Sequence, residues 1–264
     1  MTTSVGSGAV VRPRDRSELL SLQETLYRSR NPTRRWLHTT RRDWIELTLR
    51  RLSAERRPRR ALEVGPGSGV YLPLLAQLAD EVVATDVQDD FLVQAERLRG
   101  AHANISVVRD DIGDSLLPRA SFDLILCSEV IEHLPDSLAA LHSMRRLLSS
   151  DGALVISTPQ RYSPLEVAGR IAFLPAIVRL VRRVYREPVL ATGHINLLTA
   201  RDVERQLRAA GLRVVEEHRS GFYLPLIAEF GGRLALRLEQ NIERRLRSGR
   251  LRGLLWTQYY VVQP

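Results

Sequence analysis

Between residues 61 and 157 the chain alternates short apolar runs with helical periods, and this rhythm limits the possible fold more than any other feature. The apolar runs at 61–64, 81–85, 105–108, 122–127 and 153–157 predict strands, and the stretches 70–78, 90–99 and 138–148 predict helices. Strands that read as near-continuous apolar runs are covered on both faces, and helices between them make right-handed crossovers. The expected fold class is α/β, a doubly wound, mostly parallel sheet. After a break at 160–190 the rhythm resumes. A helix is predicted over 199–210 with Thr199 as its N-cap, then a strand at 212–217, an arginine-rich helix at 232–247 and a last strand at 256–262.

The first crossover, ALEVGPGSGVYLPLLA, runs from an apolar strand through Gly65, Gly67 and Gly69 into a helical period. Glycine accepts positive φ and lets a ligand approach the backbone, and the helix after it aims amide N–H groups at that ligand. The next strand ends on Asp86, about 20 residues after Gly65, the spacing at which an acid accepts ribose hydroxyls. The spacing is G-x-G-x-G, whereas dinucleotide sites use G-x-G-x-x-G, and Glu63 stands two residues before the turn. A carboxylate there repels a pyrophosphate and suits an ammonium or sulfonium. After the third strand, RDDI places Asp111 and Ile112, with Asp110 as an alternative, where an adenine edge would meet a carboxylate and an apolar face.

These segments resemble a known family. ALEVGPGSG, ATDV, RDDI, SFDLILCSEVIEHLPD and LLSSDGALVISTPQ are similar to the successive motifs of class I S-adenosylmethionine-dependent methyltransferases. EVIEHLPD followed by STPQ resembles the branch that contains the ubiquinone-biosynthesis O-methyltransferases and related small-molecule enzymes. The resemblance covers 58–160, is weaker over 194–217, and is poor at both ends. It implies a Rossmann-like seven-stranded sheet with the last strand antiparallel, and S-adenosyl-L-methionine as cofactor. It also implies that Glu63, Gly65, Gly67 and the glycine turn through Gly69 meet the methionine end. Asp86 would take the ribose, Val87 would flank the adenine, Asp111 and Ile112 would meet its edge, and Ser128 and Glu129 would lie near the methyl-bearing sulfur.

Methyl transfer from a sulfonium expels a neutral thioether, so the protein's work is alignment and exclusion of water, with a base only for a protonated nucleophile. His133, just after the fourth strand, is the leading candidate base and His194, in TGHINLLT, the second, with Glu132 placed to orient His133 or to bind a metal. Glu129, Glu132 and His133 share one short segment with no complementary cluster visible elsewhere, so no metal is expected.

The expected organisation is an N-terminal helical cap over 1–57, with helical periods at 17–28 and at 44–52 (Trp44, Ile45, Leu47, Leu49, Leu52), and a methyltransferase domain over 58–264 with a helical lid insertion at 160–193. RNPTRRWLH at 30–38 reads as a connector, or as a segment whose Arg34, Arg35 and Trp36 close over the ligand. In the insertion, apolar residues alternate with arginines, a pattern suited to an anionic bilayer surface through 165–186. The one cysteine, the absence of a long apolar run and the start of the sequence predict a cytoplasmic chain, peripheral at most at the inner membrane face. The partners expected are a small-molecule or lipid-like acceptor methylated at oxygen. Net charge is +9, carried by arginine alone, but no stacking pattern or appended RNA-binding module accompanies it, so no nucleic-acid partner is expected. A nucleic-acid methyltransferase and an NAD-dependent oxidoreductase are the alternatives.

Overall fold

The computed structural model describes residues 27–172 and 194–264. The helical period predicted at 17–28 therefore lies outside the described residues except for its last two, and so does most of the predicted insertion. Seven strands form one sheet in the order β3-β2-β1-β4-β5-β7-β6. They are β1 Arg60–Val64, β2 Glu81–Asp86, β3 Ile105–Arg109, β4 Phe122–Ser128, β5 Leu148–Pro159, β6 Arg213–Ser220 and β7 Thr257–Gln263. β1 to β5 run parallel, and β7 is antiparallel to both of its neighbours. The chain's last strand is thus the antiparallel one, and it sits inside the sheet, between β5 and β6.

The helices are α1 Pro32–Glu55, α2 Leu72–Leu78, α3 Asp89–Arg99, α4 Ser137–Leu147, α5 Pro164–Ala172, α6 Ala200–Ala209, α7 Pro225–Phe230 and α8 Gly232–Arg247. Alternate strand residues go to opposite faces. On one face Leu62, Val64, Ile125, Ile156 and Tyr260 pack with Leu141 and Met144 of α4 and Val203 and Leu207 of α6. On the other, Ala61, Leu124, Val155 and Tyr259 pack with Ile45 and Leu49 of α1, Leu72 and Leu75 of α2 and Ala95 of α3. Both faces are dry, which explains strands written as unbroken apolar runs.

Two expectations need correction. The segment 30–38 is the beginning of α1: Asn31 Oδ1 accepts from the amides of Thr33 and Arg34 at 2.9 and 3.1 Å, and Pro32 occupies the first helical position. No apolar period marks this turn, because the cap, rather than burial, starts it. Arg34, Arg35 and Trp36 are engaged locally. Arg34 pairs with Glu229 at 2.7 Å, Arg35 donates to the Ser29 carbonyl, and Trp36 packs against a cluster of Leu37, Tyr223, Ala228 and Trp256. Thr199 caps α6 as expected, through a reciprocal capping box with Asp202.

Candidate active site

The sheet order reverses direction between β1 and β4, and a crevice opens at their carboxyl ends. Val64 ends β1 and three glycines of positive φ follow: Gly65 at 65°, Gly67 at 53° and Gly69 at 74°. The Gly65 amide donates to the Thr85 carbonyl at 2.8 Å, tying the turn to β2. A Cβ at Gly65 would stand 2.6 Å from Val130, so glycine is needed there for both backbone and space.

Glu63 shares the face of Ala61 and is buried, and burial pushes its carboxyl up to about 8. Its Oε2 has no hydrogen-bond partner. A buried acceptor left open in this way costs free energy unless a ligand fills it. At the end of β2, Asp86 is partly buried; burial raises its carboxyl, opposed by the backbone amides of Gln88, at 2.8 Å, and Val87. Val87 is 48% exposed beside it. After β3, Asp111 Oδ1 accepts the Gly113 amide at 2.8 Å and Ile112 is buried. Asp110 Oδ1 accepts the Leu116 amide at 2.9 Å, while its buried Oδ2 has no partner.

Glu129 follows β4 with φ 56°, a left-handed conformation uncommon for a residue bearing a Cβ. Its Oε2 accepts from Arg41 of α1 at 2.7 Å and its Oε1 from the Ser157 hydroxyl at 3.0 Å. Ser128 and Ser157 hydroxyls are 2.9 Å apart. Burial opposes the charge on Arg41, but Glu129 together with the nearby tyrosines, Tyr71 and Tyr259 among them, outweighs it and raises the guanidinium further. Tyr71 is buried nearby; burial pushes its hydroxyl well up, with Arg41 and Ser128 opposing. Sequence reasoning missed Arg41 and Tyr71. Neither carries a local pattern, and only the packing of α1 across the crevice brings Arg41 to Glu129.

The histidines sit on the neighbouring side. His133 lies in a short 3-10 turn, Ile131–His133, and its ring centroid is 5.1 Å from that of His194. His194 Nδ1 lies 3.1 Å from Glu166 Oε2, and Trp256 Nε1 donates to Glu166 Oε1 at 3.0 Å. Burial would raise the Glu166 carboxyl, but the hydrogen bond and charge of His194 and the bond from Trp256 hold it below the usual range. An ionised carboxylate only accepts, so Nδ1 donates and Nε2 of a neutral His194 is left as a proton acceptor. Glu166 is a third residue that sequence reasoning missed.

Glu132 precedes His133 in this turn. It is fully buried, accepts from the Thr158 hydroxyl at 2.9 Å, and its carboxyl is pushed well above the usual range by burial and by Glu129. Its carbonyl accepts the amides of Ile195 and Asn196, both at 3.0 Å, which pins the segment carrying His194 beside β4. Glu132, His133 and His194 consequently offer ligand atoms within 4.8 Å of one another. The partner that the short segment 129–133 lacks in sequence is supplied by His194, and the three could hold a metal ion.

A family model described as a methyltransferase domain matches residues 36–217. A ubiquinone biosynthesis O-methyltransferase of Xanthomonas oryzae pv. oryzae is 31% identical over 153 residues, covering 56% of this chain and 60% of that protein. A probable S-adenosylmethionine-dependent methyltransferase of Mycobacterium tuberculosis is 31% identical over 121 residues, 45% of this chain and 43% of that protein. The chain thus spans 43 to 60% of the length of these curated relatives. Among solved structures, an N-methyltransferase from Bradyrhizobium japonicum in complex with S-adenosyl-L-homocysteine superposes with a TM-score of 0.58 at 19% identity, covering 95% of this chain and 96% of that one.

Proposed function

Because the chain belongs to the methyltransferase-domain family, the class I proteins that use S-adenosylmethionine, we propose that it transfers a methyl group from that cofactor to oxygen of a small-molecule or lipid-like acceptor. The observation that carries this reading is Glu63, a buried carboxylate with an open Oε2 beside three glycines of positive φ. In its ionised form it fits the cofactor's ammonium and repels the pyrophosphate of NAD. Gly65, Gly67 and Gly69 then pass the methionine end, Asp86 accepts the ribose hydroxyls, Val87 flanks the adenine, and Asp111 and Ile112 meet its edge. Ser128 and Glu129 lie toward the sulfur. Arg41 supplies a positive charge for the cofactor's carboxylate, in exchange for part of its bond to Glu129.

His194 is the general base, oriented by Glu166, with His133 as its neighbour on the wall of the site. A base positioned in this way contributes about 10²- to 10⁴-fold to proton transfer. Alignment of acceptor and sulfonium supplies the rest. The name of one relative, a ubiquinone biosynthesis O-methyltransferase, supports oxygen as the methylated atom. Exposed Val167 and Ile171 of α5 support a peripheral contact with the inner membrane face through 165–186, of which 173–186 lie outside the described residues. No helix among the described residues is long and apolar enough to cross a membrane.

The test is transfer of label from methyl-labelled S-adenosylmethionine to a panel of phenols, amines and RNA. The expected product is an O-methyl ether, with kcat reduced about 100-fold or more in His194→Ala and S-adenosylhomocysteine binding retained. Label on RNA with a steep salt dependence would replace the small-molecule acceptor. The convergence of Glu132, His133 and His194 favours a second reading, in which a metal ion assists deprotonation. Under that reading a chelator abolishes kcat and leaves cofactor affinity intact, whereas the base reading leaves both unchanged.

A further inference from the structure

A cavity of about 280 Å³ opens beside the two histidines, and its walls are Arg161, Arg170, His194, Ile195, Asn196 and Leu197. Its polar walls are unevenly supplied with charge. Asn196 Nδ2 is spent on the Leu134 carbonyl at 3.2 Å and the Ser137 hydroxyl at 2.9 Å. The carboxylate of Glu166 is spent on His194 and Trp256. Arg161 and Arg170 are exposed, and among the described residues neither lies in an ion pair, although the charge of Arg170 acts on Glu166 one turn before it; the more buried Arg34 and Arg41 each have a close acidic partner. Two guanidiniums therefore bring net positive charge to a concave surface at the carboxyl edge of the sheet.

Both are carried on fixed backbone. Gln160 continues β5 as a bridge to Leu198, and the Arg161 amide donates to the Leu198 carbonyl at 3.3 Å. The Arg161 guanidinium lies over the Tyr162 ring, 5.8 Å from its centroid, a stack that limits its rotamers and leaves its N–H edge for a ligand. Arg170 stands in the last turn of α5, one turn beyond Glu166. The cavity is too small for a nucleotide and large enough for a single ring with a short acidic arm.

The geometry points to an anion subsite for the acceptor: Arg161 and Arg170 bind a carboxylate on the methyl acceptor and place its nucleophilic atom toward His194. The word acceptor rests on the methyltransferase reading; the anion subsite does not. Planar, bidentate recognition of a carboxylate is what paired guanidiniums do best. A neutral phenol would lack this hold, so the acceptor class differs in charge from a phenol bearing only an apolar tail.

The test uses the full chain saturated with S-adenosylhomocysteine and two probes of one shape, 4-hydroxyphenylacetate and 4-hydroxyphenylacetamide, titrated by calorimetry at low salt. The acetate should bind about tenfold or more tightly than the amide, as expected for one charge-assisted pair. Arg161→Gln and Arg170→Gln should each remove most of that difference while leaving S-adenosylhomocysteine affinity unchanged. Equal affinity of the two probes, no binding of either at millimolar concentration, or a difference that survives both substitutions would overturn the subsite. If S-adenosylhomocysteine fails to bind but the arginine-dependent preference stands, the methyltransferase reading falls and the anion subsite survives.

Discussion

At the scale of single residues, the account depends on groups left open in a dry site. Glu63 titrates near 8 because burial disfavours its charge. In the free protein this raised value means that stability falls as pH rises from the usual carboxylate range to about 8, then levels off. Cofactor binding has the opposite dependence, since the ammonium needs the ionised form. Affinity for S-adenosylhomocysteine should therefore rise with pH up to about 8 and level off above it, and Glu63→Gln should flatten the profile and weaken binding about tenfold or more. A pH series of calorimetric titrations on both proteins checks this. His194 and Glu166 make a second prediction. Glu166→Gln should lower kcat and shift its pH profile, because the amide cannot hold the same tautomer, while the KM for the cofactor stays unchanged. Glu63, Gly65 and Asp86 were legible in the sequence because each belongs to a local strand-turn-helix grammar. Arg41, Tyr71 and Glu166 were not, since an isolated arginine, tyrosine or glutamate acquires meaning only when the fold brings it to the crevice.

Elements divide in the same way. β1 to β4 were legible to within a residue or two, because strands buried on both faces spell apolar runs. β5 begins five residues before its apolar stretch, as SSDG follows Leu148 at the strand's outer end with no apolar signal. α1 was legible over 44–52, where an apolar period runs between arginines, but its first turns were missed, because they are written in caps and arginines. Asn31 is the hinge of that helix, accepting two amides and donating through Nδ2 to the Ala228 carbonyl at 3.0 Å. Asn31→Ala should cost about 1 kcal/mol for the lost cap, a fall in Tm of about 2–4 °C. Cofactor affinity should fall as well, because the same helix carries Arg41. Thermal unfolding with and without S-adenosylhomocysteine separates the two effects.

Across the whole molecule, sheet order ties the last strand to α1. β7, the last strand, lies between β5 and β6, and Trp256 just before it contacts His38 of α1 by an edge-on ring pair at 5.5 Å and accepts Arg41 over its face. Removing residues 254–264 would leave two strand edges unpaired and the wall between donor and acceptor sides missing. A chain so shortened should show no cooperative unfolding transition and should aggregate. The alternation of strands and helices in the sequence announces the doubly wound sheet, but not the insertion of the last strand inside it, since apolar periodicity carries no information about neighbours. The central claim is that this crevice holds S-adenosylmethionine. It is tested most directly by titrating the full chain with S-adenosylhomocysteine and with NAD, using Asp86→Ala as control. The account predicts that the sulfur ligand binds, that NAD does not, and that Asp86→Ala loses most of the affinity. Binding of NAD in place of S-adenosylhomocysteine would contradict it.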